Sequence, residues 1–351
     1  MNNTNIALLA VFATASVQAQ EEFSRPDDHA PIGVMGDHFH EKGEFMFSYR
    51  YMNMDMQSNL IGSNDIAADI IATTIPNRFA GAPMQPPTLR VVPTHMSMDM
   101  HMLGLMYAPT DRVTLMAMTN QIAKEMEHVT YMGGVGTAVL GTFSTKTSGI
   151  GDTSLSALIS LHDGESGRVH LSMGVSMPTG STDEQGVVLA PSGMMPSLRL
   201  PYPMQLGSGS YDLLPGVTWT KFVDSRSSVG LQWRATLRLS DNDEGYQLGD
   251  EHRLTAWYSR ILSRHLSWSA RLEWYDRGDI DGIDPLIVAP VQTADPLRQA
   301  ATRKELGVGL NFVRAGGHRI AIEYSVPLSQ SLDGPQLEVD DQLTLGYQFS
   351  F

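Results

Sequence analysis

Methionine stands at positions 96, 98, 100, 102 and 106, so thioethers recur at every second residue along the stretch 95–107. The stretch 44–56 repeats the device with Met46, Met52, Met54 and Met56, and 112–128 follows with Met116, Met118 and Met126. Fifteen of the 21 methionines lie between Met35 and Met132, so they form a set rather than a scatter. Thioether sulfur is a soft ligand that favours Cu(I), and it binds without losing a proton. A plainer use is open to the same atoms, because methionine is an adaptable apolar filler of irregular space.

Two further groups could do chemistry. Asp37-His-Phe-His40 puts His38 and His40 on one side of an extended chain, a pair able to hold Cu(II), Zn(II) or Ni(II). Arg234, Arg238, Arg253 and Arg271 share a strand phase with Glu273, Glu305 and Glu323. Such charges either set a field across a pore or pair with one another and fill it.

Period two is the period of a strand, in which alternate side chains point to opposite faces. The expected metal set is therefore Met52, Met54 and Met56 beside Met96, Met98, Met100 and Met102, with His95, His101 and His128 at its rim. Phe45, Phe47, Tyr49, Tyr51, Leu103, Leu105 and Tyr107 take the other face. In 228–240, Val229, Leu231, Trp233 and Leu237 alternate with Gln232, Arg234, Thr236 and Arg238. A dry core would not accept those mid-strand charges unpaired, whereas a wet or ion-paired lumen does.

Twelve such segments run from Glu44 to Phe351, at 44–56, 95–107, 112–128, 152–162, 168–177, 211–222, 228–240, 252–262, 266–275, 303–313, 319–327 and 342–351. Each is about the nine to eleven residues of a tilted membrane strand, or slightly longer. Tight turns (108–111, 163–167, 224–227, 263–265, 315–318) alternate with long polar links (57–95, 129–151, 178–210, 241–251, 276–302, 328–341). An outer-membrane barrel sorts its connections in this way because one end faces periplasm and the other faces outside. The expected fold is all-β: an outer-membrane antiparallel β-barrel of about twelve strands over 44–351.

Residues 1–19 read as a secretory signal, with an apolar core at 6–15 and a Val17-Gln-Ala19 cleavage pattern. Residues 20–43 are a polar, proline-containing arm, expected in the periplasm or folded into the lumen as a plug. The chain has no cysteine, which removes disulfides and thiolate chemistry, and a net charge of −14, which argues against a nucleic-acid partner. No local catalytic signature is present, so no enzyme is expected, although an outer-membrane hydrolase is conceivable. The glycine-rich Gly133-Gly-Val-Gly136 lacks the lysine and helix of a phosphate loop and reads as a flexible loop tip.

The last segment, Gln342-Leu-Thr-Leu-Gly-Tyr-Gln-Phe-Ser-Phe351, resembles the C-terminal insertion signal of bacterial outer-membrane barrels. That resemblance implies a Gram-negative outer membrane, contact with its lipid, and assembly by its insertion machinery. Pro31-Ile-Gly-Val-Met-Gly-Asp-His-Phe-His40, Ser48-Tyr-Arg-Tyr-Met52, Gly149-Ile-Gly-Asp-Thr153, Met177-Pro-Thr-Gly-Ser181 and Leu332-Asp-Gly-Pro335 together resemble the outer-membrane transporter family grouped with the meta-pathway phenol-degradation proteins. This likeness implies a barrel that passes small molecules, and the dense methionine set departs from what an aromatic-compound channel requires. The expected function is a small-solute channel that needs no cofactor, with Cu(I) or another soft metal as the sharper expectation. Diffusion of hydrophobic or aromatic compounds and a plugged structural barrel are the alternatives.

Overall fold

The computed structural model describes residues 25–164 and 167–351. The expected leader (1–19) lies outside the described residues, as do residues 20–24. Twelve strands carry the architecture: β1 (Phe45–Gly62), β2 (Val91–Thr110), β3 (Val113–Tyr131), β4 (Val139–Ile150), β5 (Thr153–Gly164), β6 (Gly167–Met177), β7 (Asp212–Asp224), β8 (Ser227–Arg238), β9 (Glu251–Ser263), β10 (Leu266–Arg277), β11 (Ala301–Arg314) and β12 (His318–Ser350). Each pairs antiparallel with its neighbours in one continuous sheet, and β12 pairs back onto β1. Phe45 N–H donates to the Phe351 carbonyl (2.9 Å) and Phe351 N–H to that of Phe45 (2.8 Å), so the sheet is a closed ring.

Two elements depart from one strand per pass. The 33-residue β12 is a hairpin bent at Gly334 (φ 81°): 318–332 pairs with β11, and 336–350 pairs with β1. β4 and β5 together make one pass along β3, with β4 against Gln121–Tyr131 and β5 against Val113–Met118. Asn120 bridges the break between them by donating to the Asp152 carbonyl (3.2 Å) and accepting Gly151 N–H on its own carbonyl (3.0 Å). The described chain thus crosses the wall twelve times.

The faces follow the alternation. Phe47, Leu105, Leu115, Leu231, Leu310 and Ile322 stand exposed on the outside, with Tyr107, Trp219, Trp274 and Tyr324 among them. Arg50, Thr218, Gln232, Thr255, Arg271 and Glu323 are buried inside the ring. An apolar, aromatic-bearing outer belt around a polar interior is the surface of a barrel solvated by lipid. No helix among the described residues is long and apolar enough to cross a membrane, and here the strands do so. The molecule is an outer-membrane β-barrel.

Two expected long links are largely strand, and a third is strand at its two ends. β1 runs on to Gly62, β3 and β4 rise through 129–131 and 139–150, and β12 carries pairing through most of 328–341. The reason is physical: beyond the lipid belt both faces of the wall meet water, so Thr142, Ser144, Lys146 and Asp341 break the apolar period while the backbone ladder continues.

At the outer end, the links 178–211, 239–250 and 278–300 pack on one another through Tyr202, Tyr246, Ile280, Ile287 and Val291. Arg90, fully buried, anchors the neighbouring loop. Its guanidinium donates to the carbonyls of Gly133 (3.0 Å), Gly136 (2.9 Å), Met132 (2.9 Å) and Ala72 (3.0 Å). The glycine-rich tip expected to be flexible is therefore an ordered carbonyl cradle. Orphaning a buried acceptor costs about 1–3 kcal/mol, so Arg90→Met should speed amide exchange across 132–138 by roughly tenfold to a hundredfold while the belt strands stay protected.

Candidate functional site: the barrel lumen

The methionines look into the ring. Met46 and Met106 are buried, and Met52, Met54, Met98, Met100 and Met102 are half-buried with a face to the interior. Register places them directly opposite one another: Met46 on Met106, Met52 on Met100, Met54 on Met98 and Met56 on Met96 across β1 and β2. Met96 then faces Met126, and Met106 faces Met116, across β2 and β3. Directly opposed residues hold their Cβ atoms about 4.5–5.5 Å apart, within reach of one shared ion for side chains this long. Met102 instead meets Arg50 on one side and Asn120 on the other.

His101 is not part of this ladder. It has the odd-numbered phase of Leu103 and lies on the outer face, where its Nδ1 is 2.8 Å from the Tyr49 hydroxyl. His95 shares that face and bonds Asp55 Oδ2 at 2.8 Å. His128 does turn inward, buried and stacked on Phe143.

Residues 25–43 fold into the short-turn half of the lumen. Wall side chains hold this segment by its backbone carbonyls: Ser267 donates to Pro26 (2.7 Å), Ser228 to Asp27 (2.5 Å), Arg319 to Ala30 (2.5 Å) and Gln232 to Met35 (3.0 Å). His40 N–H donates to Thr114 Oγ1 (2.9 Å), and Ala30 and Val34 pack on the inward indole of Trp257. His38 and His40 ride on this segment and not on a wall strand, and their rings meet each other with centroids 4.9 Å apart.

The charged wall is largely ion-paired. Arg253 bonds Glu273 (3.0 Å), Arg271 bonds both Glu273 (2.8 Å) and Glu323 (2.8 Å), and Arg303 pairs with Glu305. Arg238 is held by Asp212 (2.5 Å) and Glu251 (3.4 Å). Arg234, opposite Arg253, makes no ion pair among the described residues. From the outer end, the link 178–211 dips inward. Lys124 donates to the carbonyls of Pro203 (2.8 Å) and Gln205 (2.5 Å), and Leu200 and Met204 pack on Met96 and Met126.

Arg50, Lys124 and Arg319 are lumen groups outside the expected set, although each lies in phase with residues in it: Arg50 with Met52, Lys124 with Met126, Arg319 with Glu323. Arg319 reaches the arm at Ala30 and Lys124 reaches an outer link, contacts that no strand period reveals, and Arg50 Nε is buried without a hydrogen-bond partner.

A closed barrel with an apolar belt, a polar lumen and an inserted N-terminal segment defines an outer-membrane β-barrel fold. No family model and no curated protein matches the chain. Among solved structures it is similar to the COG4313 outer-membrane channel from Pseudomonas putida F1, with TM-score 0.57 and 15% identity over 90% of this chain and 98% of that one. A Pseudomonas aeruginosa FadL homologue aligns at TM-score 0.45 and 10% identity, covering 88% of this chain and 90% of its own. The P. putida toluene transporter TodX aligns at 0.42 and 10%, over 89% and 90%. At these identities the likeness is one of fold.

Gly33 sits against the ion-pair belt: a Cβ there would overlap Glu323 Oε1 and come within 3.1 Å of the Arg271 guanidinium. Gly33→Ala should therefore loosen the segment. The expected outcome is faster trypsin cleavage after Lys42 in reconstituted barrels, by about tenfold for a cost near 1.4 kcal/mol, with barrel strands intact.

Proposed function

We propose that this barrel is an outer-membrane channel for small solutes, and that its methionine ladder hands on a soft metal ion, Cu(I) foremost. The observation that carries this reading is the register: four methionine pairs stand face to face across β1 and β2, and two of them extend to β3. Three of these pairs, Met56 with Met96, Met54 with Met98 and Met52 with Met100, hold successive inward rungs and allow ligand exchange, in which an ion leaves one pair as it is taken by the next, with no nucleotide and no redox step in the chain. Half-burial of Met52, Met54, Met98 and Met100 leaves the middle rungs open to the interior. Fold likeness to a solved outer-membrane channel supports passage of small molecules, and lipid and the insertion machinery are the partners that the belt and the C-terminal strand call for. Arg50 lies beside the Met102 rung, so a bare cation meets a barrier there and movement as a neutral or anionic complex is favoured.

A second reading has its own support. Met96 and Met126 pack with Leu200 and Met204 in an apolar cluster, which favours a greasy lining for small hydrophobic or aromatic compounds, in line with the resemblance to the meta-pathway grouping. Replacing Met52, Met54, Met98 and Met100 together by leucine separates the two, because the swap conserves volume and apolarity but removes sulfur. The metal reading expects Ag(I) or Cu(I) affinity of the purified barrel to fall by about tenfold or more. Equal metal binding by both proteins, with unchanged uptake of a small aromatic compound, would leave only the second.

A further inference from the structure

The N-terminal segment carries a group that solute passage does not use. His29, Asp37 and His38 each offer a ligand atom, and these atoms all lie within 4.8 Å of one another. A turn closes them together: Val34 N–H donates to the Pro31 carbonyl (2.9 Å), and Gly36 takes a left-handed φ of 63°, which returns the chain to Asp37 beside His29. The His29 and His38 rings meet edge to face with centroids 4.7 Å apart.

Several of the polar atoms here have no other use. His29 Nδ1, His38 Nε2 and His40 Nε2 are buried without a hydrogen-bond partner. A buried polar atom left this way costs about 1–3 kcal/mol, a penalty that donation of its lone pair to a metal removes. Asp37 Oδ2 is held by Ala30 N–H (2.9 Å), and Oδ1 lies 3.0 Å from His38 Nδ1.

We propose that His29, Asp37 and His38 form a binding site for a divalent transition metal, Cu(II), Zn(II) or Ni(II), that clips residues 29–38 into the lumen. Two imidazoles and one carboxylate suit these borderline ions. A hard ion such as Ca(II) needs six or more oxygens and is not matched by a single carboxylate. Arg319 stands close by, but its guanidinium is already committed to Asn311, Gln348 and the Ala30 carbonyl. The positive charge it adds disfavours an ion held by charge alone, and nitrogen donors are the ones that bind against it.

The test titrates copper sulfate into the purified, chelator-stripped full barrel in detergent. One equivalent should bind per chain, with an electron paramagnetic resonance spectrum showing two nitrogen ligands. His29→Gln and His38→Gln should each weaken binding by about tenfold or more, with the folded barrel confirmed by its heat-dependent gel migration. The four-methionine leucine variant should bind Cu(II) as the parent does, which keeps this site distinct from the ladder. No stoichiometric binding, a spectrum without two nitrogens, or affinity unchanged in both histidine variants would overturn the proposal.

Discussion

Every structural feature of this molecule depends on one constraint: a peptide group in hydrocarbon has no water to bond, so each N–H and C=O in the belt must find a partner in the chain. A sheet meets that demand only when it has no edge. Here the last edge is removed by the second arm of β12 lying along β1, with Phe351 and Phe45 exchanging two hydrogen bonds at the seam. Once closure is required, side-chain alternation ceases to be a preference and becomes a sorting rule. Leu105 and Leu231 must go to lipid, and so Met100, Gln232 and Arg271 must go inside.

An interior formed in this way has to accommodate polar groups that no lipid would accept, and the chain fills it from three sources. The wall supplies pairs of opposite charge, with Arg271 shared between Glu273 and Glu323, so that few buried ions are left alone. From the N-terminus comes a segment whose exposed carbonyls take the donors of Ser228, Gln232, Ser267 and Arg319. An outer link contributes the carbonyls of Pro203 and Gln205 to Lys124. The methionine rungs lie between these two intruding pieces, which is why their middle members keep a free face while Met46, Met96 and Met126 at either end are covered.

The belt was legible in the sequence because lipid on one side and a polar lumen on the other impose a clean period of two, and that period gave the phase of Met52 and Arg253 alike. Legibility stopped where the solvent changed. In 139–150 and 328–341 both faces meet polar surroundings, so strands there carry no hydropathy signal and read as links. His101 shows a different limit: spacing from the methionines put it close by, yet an odd position among even ones placed it on the outer face. The cluster around His38 required His29 and Asp37, which are joined to it by the left-handed turn at Gly36, and Arg90 required the carbonyls of Ala72, Met132, Gly133 and Gly136 from other elements. Contacts of that kind are made by tertiary folding and have no period.

The absence of native cysteine makes the sorting rule directly measurable. Single cysteines at Met100, Gln232, Leu105 and Leu231, each labelled with a small fluorophore and reconstituted, can be exposed to brominated lipid chains, which quench only a probe that touches them. Strong quenching at 105 and 231 with little at 100 and 232 is the result this account predicts. Quenching at 100 and 232, with the probes at 105 and 231 left bright, would contradict it.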